Sequence, residues 1–260
     1  MSDEIYLPLI NDMVWSYSRV STFVDCKYRF YMKYLHRPKL EETEQFYASY
    51  GSFAHEIIEE YYKGKLEKRD MVNKYLFEFS DKVKGKRPNE RTLNKYITGG
   101  FEYFKNFEPF KYEPIAVEKR VEFDLDGLHF VGYIDYLGMD ENGLVIVDHK
   151  SGEIRPRSGR KKPTVKDQRL NAILRQLYLY SAAIKQEYGD FPKKLCLNCF
   201  RTGIFIEEEF NKKAYNEAIE WIIMTIEEIK KEEDFPPDVS WFKCHNICEL
   251  KNECIYLEDS

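Results

Sequence analysis

The stretch from residue 116 to residue 152 constrains the fold more than any other. Segments 116–125, 128–139 and 144–150 carry alternating or continuous apolar and β-branched residues, and Asp126-Gly127 and Glu141-Asn142-Gly143 between them are turn sequences. Three successive strands joined this tightly predict an antiparallel meander. The third is the most apolar, with Leu144-Val145-Ile146-Val147 closed by Ser151-Gly152, and reads as a buried strand. Gly132-Tyr133-Ile134-Asp135 and Asp148-His149-Lys150 then place two carboxylates and a lysine at neighbouring strand ends. Strand side chains alternate, so Asp148 and Lys150 share a face and His149 takes the other. An acid at the end of so apolar a strand is costly to bury unpaired. A divalent cation would remove that cost.

Around the meander the periodicity turns helical. Ser16-Tyr17-Ser18 caps an amphipathic segment over 19–35, in which Phe23, Cys26, Phe30 and Tyr34 recur every three or four residues. Taken alone this is a core stripe with a buried thiol. Residues 38–45 read as a polar connection. A helix is expected from Gly51 to about residue 63, with Ser52 as N-cap and His55 in the first turn. Residues 66–110 form a helical lobe inserted before the sheet. Residues 167–188 predict a long helix whose Leu170, Leu174, Leu177 and Ser181 face inward, with Gln176 and Tyr180 one turn apart. Two more strands, 194–201 and 204–210, turn at Thr202-Gly203. Asn211 caps a last long helix to about residue 231, and Phe235-Pro236-Pro237 stops it.

Composition narrows the function. The net charge of −5 over 260 residues argues against a protein that coats nucleic acid non-specifically, yet leaves room for a local basic patch. Arg155, Arg157, Arg160, Lys161, Lys162 and Lys166 form such a patch, and its place directly after Lys150 suits a grip on a polyanion as well as a solvated loop. No run of about 18 apolar residues and no signal-like N-terminus is found, which predicts a cytoplasmic protein without a membrane partner. Six cysteines without a secretory signal suggest metal ligands more than disulfides. Cys196 and Cys199 lie three apart in a strand, face opposite sides and read as core thiols. Cys244, Cys248 and Cys254 crowd the tail.

Asp135 and Asp148 are hard oxygen donors suited to Mg2+ or Mn2+, and the His149 carbonyl could complete one side of the sphere. With the Lys150 ammonium beside them, the chemistry these groups suit is phosphodiester hydrolysis. The pattern alone also fits a surface ion pair. Likewise His55 alone fits a structural histidine, and the Gln176–Tyr180 pair ordinary helix surface.

Taken in order, these residues resemble the RecB-like branch of the PD-(D/E)XK nucleases, which includes RecB and AddB nuclease domains and CRISPR-adaptation exonucleases. The resemblance rests on Ser18 to Phe23 with Cys26, Phe30 and Tyr34; on Gly51-Ser52-Phe53-Ala54-His55; on Gly132-Tyr133-Ile134-Asp135; on Asp148-His149-Lys150-Ser151-Gly152; and on Gln176 with Tyr180. It implies an α+β fold with a restriction-endonuclease-like α/β/α core, in which helices flank a central mixed sheet. It divides a single domain into an N-terminal segment (1–50), a helical lobe (51–112), a catalytic part (113–232) and a tail (233–260). By resemblance His55, Asp135 and Asp148 hold the metal, Lys150 assists the water, and Gln176 and Tyr180 support the site and touch the DNA backbone. The implied substrate is DNA, single-stranded or with a free end. The implied setting is recombination, repair or phage DNA metabolism in a prokaryotic cell, alongside recombination or replication proteins. A structure-specific endonuclease and a non-catalytic DNA-binding subunit remain as alternatives. Iron–sulfur members of the branch hold a [4Fe–4S] cluster through one N-terminal and three C-terminal cysteines, which implies Cys26, Cys244, Cys248 and Cys254, a set that zinc also accepts. Here the usual Cys-x-x-Cys becomes Cys244-x-x-x-Cys248. His245 stands where the first cysteine is expected, so either residue could ligate, with Cys244 preferred.

Overall fold

The structure is a computed structural model that describes residues 3–36 and 44–257. Residues 38–43 of the expected polar connection lie outside that range. The strands β1 (Glu113–Leu125), β2 (Leu128–Asp140), β3 (Gly143–His149), β4 (Lys194–Cys199) and β5 (Ile204–Glu209) form one sheet in that spatial order. The first three are the expected meander. β4 joins β3 in parallel, and β5 returns antiparallel. A parallel neighbour requires a crossover, and α7 (Val165–Tyr188) supplies it. Thr164 and Asp167 cap that helix reciprocally. Its stripe Leu170, Leu174, Leu177 and Ser181 is fully buried.

Before the sheet come α1 (Asp3–Asn11), α2 (Tyr17–Asp25), α3 (Lys27–Phe30), a π-helical turn (Tyr31–His36), α4 (Phe46–Tyr62), α5 (Lys68–Lys82) and α6 (Glu90–Lys105); after it come α8 (Lys212–Lys231) and α9 (Trp241–Asn246). One core lies between the sheet and α2, α7 and α8. A second fills the α4–α6 lobe and takes in Phe200. A small third cluster, Tyr112, Tyr136, Val145, Val147 and Cys196, lines the lobe side of the sheet. Helices thus flank a mixed sheet on both faces. Cys196 and Cys199 are fully buried on opposite faces.

Two expectations are corrected. The continuous helix over 19–35 is broken at Cys26, whose extended backbone (φ −167°, ψ 113°) ends α2 and opens α3. Phe23 and Phe30 still enter the core, but the half-buried Cys26 thiol turns instead to the C-terminal tail, where the Asp238 amide meets it at 3.5 Å. The helix expected to open at Gly51 opens at Phe46, so Ser52 is not its N-cap and His55 lies in the third turn. Phe46 and Tyr50 extend the buried stripe of Phe53, Ala54, Ile57 and Ile58 backwards, and their burial carries the helix past the Gly-Ser pair.

Candidate active site

The site forms where three elements converge: the middle of α4, the paired strands β1 and β2, and the end of β3. Asp135 accepts a hydrogen bond from the His149 amide at 2.7 Å, which ties the two motif strands together. His55 reaches across from α4 and donates through Nε2 to the His149 carbonyl at 3.0 Å. That carbonyl can only accept, so in the neutral ring the lone pair lies on Nδ1, 3.6 Å from Asp135 Oδ2. Two acceptors face one another there, and only a proton or a cation between them resolves the contact.

Asp148 and Lys150 share a face, as strand alternation requires, with Oδ2 and Nζ 2.7 Å apart. The ammonium is the buried Asp148 oxygen's close partner, as an ion pair. Burial pushes the Asp148 carboxyl above its ordinary pKa, Lys150 pulls it back, and neighbouring Asp135 adds to the rise. Burial also works against the Lys150 charge, but Asp148 outweighs it and holds the ammonium above the usual lysine value. From α7, Gln176 Oε1 accepts from Lys150 Nζ at 3.0 Å, and Gln176 Nε2 donates to the Tyr180 hydroxyl at 3.3 Å. Burial lifts the Tyr180 phenol to about 12 and keeps it neutral. Gly132 belongs to the same contact, because a Cβ there would collide with the Tyr180 ring. The His149 side chain points away, accepts from Asn198 at 3.2 Å and stays uncharged in the apolar lobe-side cluster.

Glu118 escaped the sequence reading. The register, with Val117 opposite Tyr136 and Lys119 opposite Ile134, sets Glu118 across from Asp135. Its backbone is left-handed (φ 50°), a strain on the order of 1–3 kcal/mol for a residue other than glycine. Both strands exchange faces here. Ile134 and Leu137 enter the same core although three apart, as do Ala116 and Val121 although five apart, while Val117 and Tyr136 join the opposite cluster. Burial, together with Asp135, lifts the Glu118 carboxyl to about 7. Donor atoms of His55, Glu118 and Asp135 lie within 4.8 Å of one another. Asp148 stands outside that trio but close enough to feel the charges of Asp135 and His55. Carboxylate oxygens and one imidazole are the donor set of a divalent cation.

The basic segment divides in two. Arg155 pairs with Glu153 at 2.7 Å, and Arg157 with Glu208 at 2.5 Å and Asn171 at 2.8 Å. Arg160, Lys161, Lys162 and Lys166 are exposed and make no ion pair among the described residues. The loop is anchored by buried Ile154 and by Asp167, whose carboxylate accepts from Ser158 and Thr164.

Away from the His55–Glu118–Asp135 trio, Cys26, Cys244, Cys248 and Cys254 line one cavity of about 120 Å³. No three of these thiols approach within 4.8 Å among the described residues. His245 is not in the lining; its ring stacks on Trp241 and bonds that residue's carbonyl. Arg29 and Lys33 grip the buried Glu249 at 2.6 and 2.8 Å and tie the chain ends together.

A strand meander with a parallel fourth strand, a carboxylate–lysine pair at its end and a glutamine–tyrosine helix behind it defines a class of nucleic-acid hydrolases. The sequence signature of the PD-(D/E)XK nuclease superfamily matches residues 14–255, and the chain belongs to that family. A crystal structure from Eubacterium rectale, of a protein named as a putative exonuclease, shares the fold at 15% identity, covering 97% of this chain and 90% of that one with a TM-score of 0.53. A second solved structure, SSO0001, aligns at 17% identity over 86% of this chain and 90% of its own, but its TM-score of 0.30 carries no argument. No curated protein sequence matches. Among the described residues no helix is long and apolar enough to cross a membrane.

Proposed function

We propose that the chain is a Mg2+- or Mn2+-dependent deoxyribonuclease of the RecB-like branch, cutting single strands or working from a free end. The observation that carries this reading is the unbroken chain of contacts from His55 through the His149 backbone to Asp135, beside the Asp148–Lys150–Gln176–Tyr180 relay. His55, Asp135 and Asp148 would hold the cation, with the His149 carbonyl as a further oxygen donor. When bound, the cation supplies Lewis acidity toward a phosphoryl oxygen and lowers the pKa of water. Lys150 orients the attacking water and offsets charge developing on the phosphorane. Gln176 holds the ammonium in line, and Tyr180 donates to the backbone of the bound strand. Arg160, Lys161, Lys162 and Lys166, which make no ion pair among the described residues, take the flanking phosphates, with Arg155 and Arg157 contributing less.

The four cysteines are proposed to hold a [4Fe–4S] cluster. Thiolates bound to one zinc at about 2.3 Å would sit roughly 4 Å apart, so thiols spaced around a cavity favour the larger group. The cavity lining favours Cys244 over His245. The decisive assay uses end-labelled linear and covalently closed single-stranded DNA with each cation. Cutting of linear DNA alone supports end-dependence, cutting of both supports an endonuclease, and no cutting with either cation refutes the reading.

A further inference from the structure

We infer that Glu118 is a ligand of the active-site cation, completing with His55 and Asp135 a site that favours Mn2+ over Mg2+. This rests on the metal-dependent reading above and adds a residue that the sequence motifs do not contain. Four observations converge on it. The three side chains come from separate elements, α4, β1 and β2, yet place one donor atom each within 4.8 Å of one another. The His55 tautomer set by the His149 carbonyl turns the Nδ1 lone pair toward Asp135 rather than toward a donor. Glu118 has no hydrogen bond or ion pair among the described residues, although it is half-buried opposite another carboxylate. Lastly, the buried Asp148 carboxylate, although paired with Lys150, adds to the same field of negative charge around Asp135. Two carboxylates and an imidazole nitrogen facing one point repel until a proton or a cation occupies it. An imidazole in the set shifts preference from Mg2+ toward transition ions.

This distinguishes Glu118 from a structural residue. A structural glutamate would be anchored by donors, and its loss would weaken the metal-free fold. A ligand glutamate is a burden on the metal-free fold, and its neutralisation relieves repulsion.

The test is Mn2+ titration of the metal-free full-length protein, read by the electron paramagnetic resonance signal of the free ion, together with thermal melts with and without Mn2+. Wild type is expected to bind Mn2+ and gain thermal stability from it, and His55→Ala to lose both. Glu118→Gln is expected to lower Mn2+ affinity by at least about tenfold while melting no lower than wild type without metal. Wild-type affinity in Glu118→Gln, with His55→Ala still defective, overturns the role of Glu118 and leaves the nuclease reading standing. Failure of the wild type to bind Mn2+ overturns both. If Glu118→Gln melts low without metal, Glu118→Asp decides: weakened Mn2+ binding at an unchanged metal-free melt supports the ligand role, and unchanged binding overturns it.

Discussion

The two regions of the molecule that gather metal-type side chains are built in opposite ways. At the catalytic end the protein holds its own donors in place. Asp135 is fixed by the His149 amide, His55 by the His149 carbonyl, and Lys150 by Asp148 and Gln176; His55 sits on the 17-residue α4, Gln176 on the 24-residue α7, and the others on or directly after strands of the sheet. At the cysteine end the thiols surround a cavity, supported by a four-residue helix, a six-residue helix and turns. The Glu249 ion pairs, the Tyr28–Tyr256 ring contact and the Asp238 amide on the Cys26 thiol lock that end from within. On the proposed reading, the first site is organised before anything binds and the second by the group it would hold. A similar contrast runs through the basic segment, where Arg155 and Arg157 pair with acidic side chains and Arg160, Lys161 and Lys162 make no ion pair among the described residues.

The largest effect that sharpens this contrast is catalytic. Asp148→Asn should lower cleavage by about 10²–10⁴-fold with little change in melting temperature, because the sheet holds the site without the ion. A melt that falls as far as the activity would break the contrast. The converse holds for Cys26→Ser. If a cluster closes residues 26 to 254, its loss removes a long-loop constraint worth on the order of 4–5 kcal/mol and lowers Tm by roughly 10 °C or more. Visible absorbance and iron should vanish with it, while Cys196→Ser and Cys199→Ser retain both. Protein with one equivalent of zinc, or with no metal at all, would contradict the cluster.

A smaller effect probes the ion pairs that lock the cysteine end. Burial pushes the Glu249 carboxyl up, but Lys33 and Arg29 overcome it and hold the group below its ordinary value of 4.5. A carboxyl whose pKa is depressed on folding stabilises the protein above the unfolded value and loses that contribution as pH falls through the folded one. Glu249→Gln should therefore cost on the order of 3 kcal/mol near neutral pH and flatten the loss of stability below about pH 4.5. An acid melt identical to wild type would remove Glu249 from the lock. The smallest change is in DNA binding. Replacing Arg160, Lys161 and Lys162 by Ala should reduce the salt slope of affinity by about 2, at roughly 0.7 per phosphate contact on single strands. Replacing Arg155 and Arg157 should change it less, since those cations are already neutralised.

The sequence by itself determined what repeats over a few residues. The three-strand meander, the inward stripe of α7, the shared face of Asp148 and Lys150 and the opposed faces of Cys196 and Cys199 all follow from periods of 2.0 and 3.6. The motif order also named the residues that gather at the sheet end. Tertiary structure decided what depends on which face meets which. The break at Cys26 carries no glycine or proline; an extended residue is selected there by the docking of the tail. The earlier start of α4 follows from the burial of Phe46 and Tyr50 in a lobe that only long-range packing creates. Glu118 was hidden because it lies in a strand that reads as ordinary alternation, and its partner Asp135 is 17 residues away. Only the pairing of β1 with β2, and a backbone turned left-handed where both strands exchange faces, brings the two carboxylates and His55 to one point. Local periodicity encodes the direction of a side chain, whereas a site needs the meeting of directions, and that is fixed by register and packing.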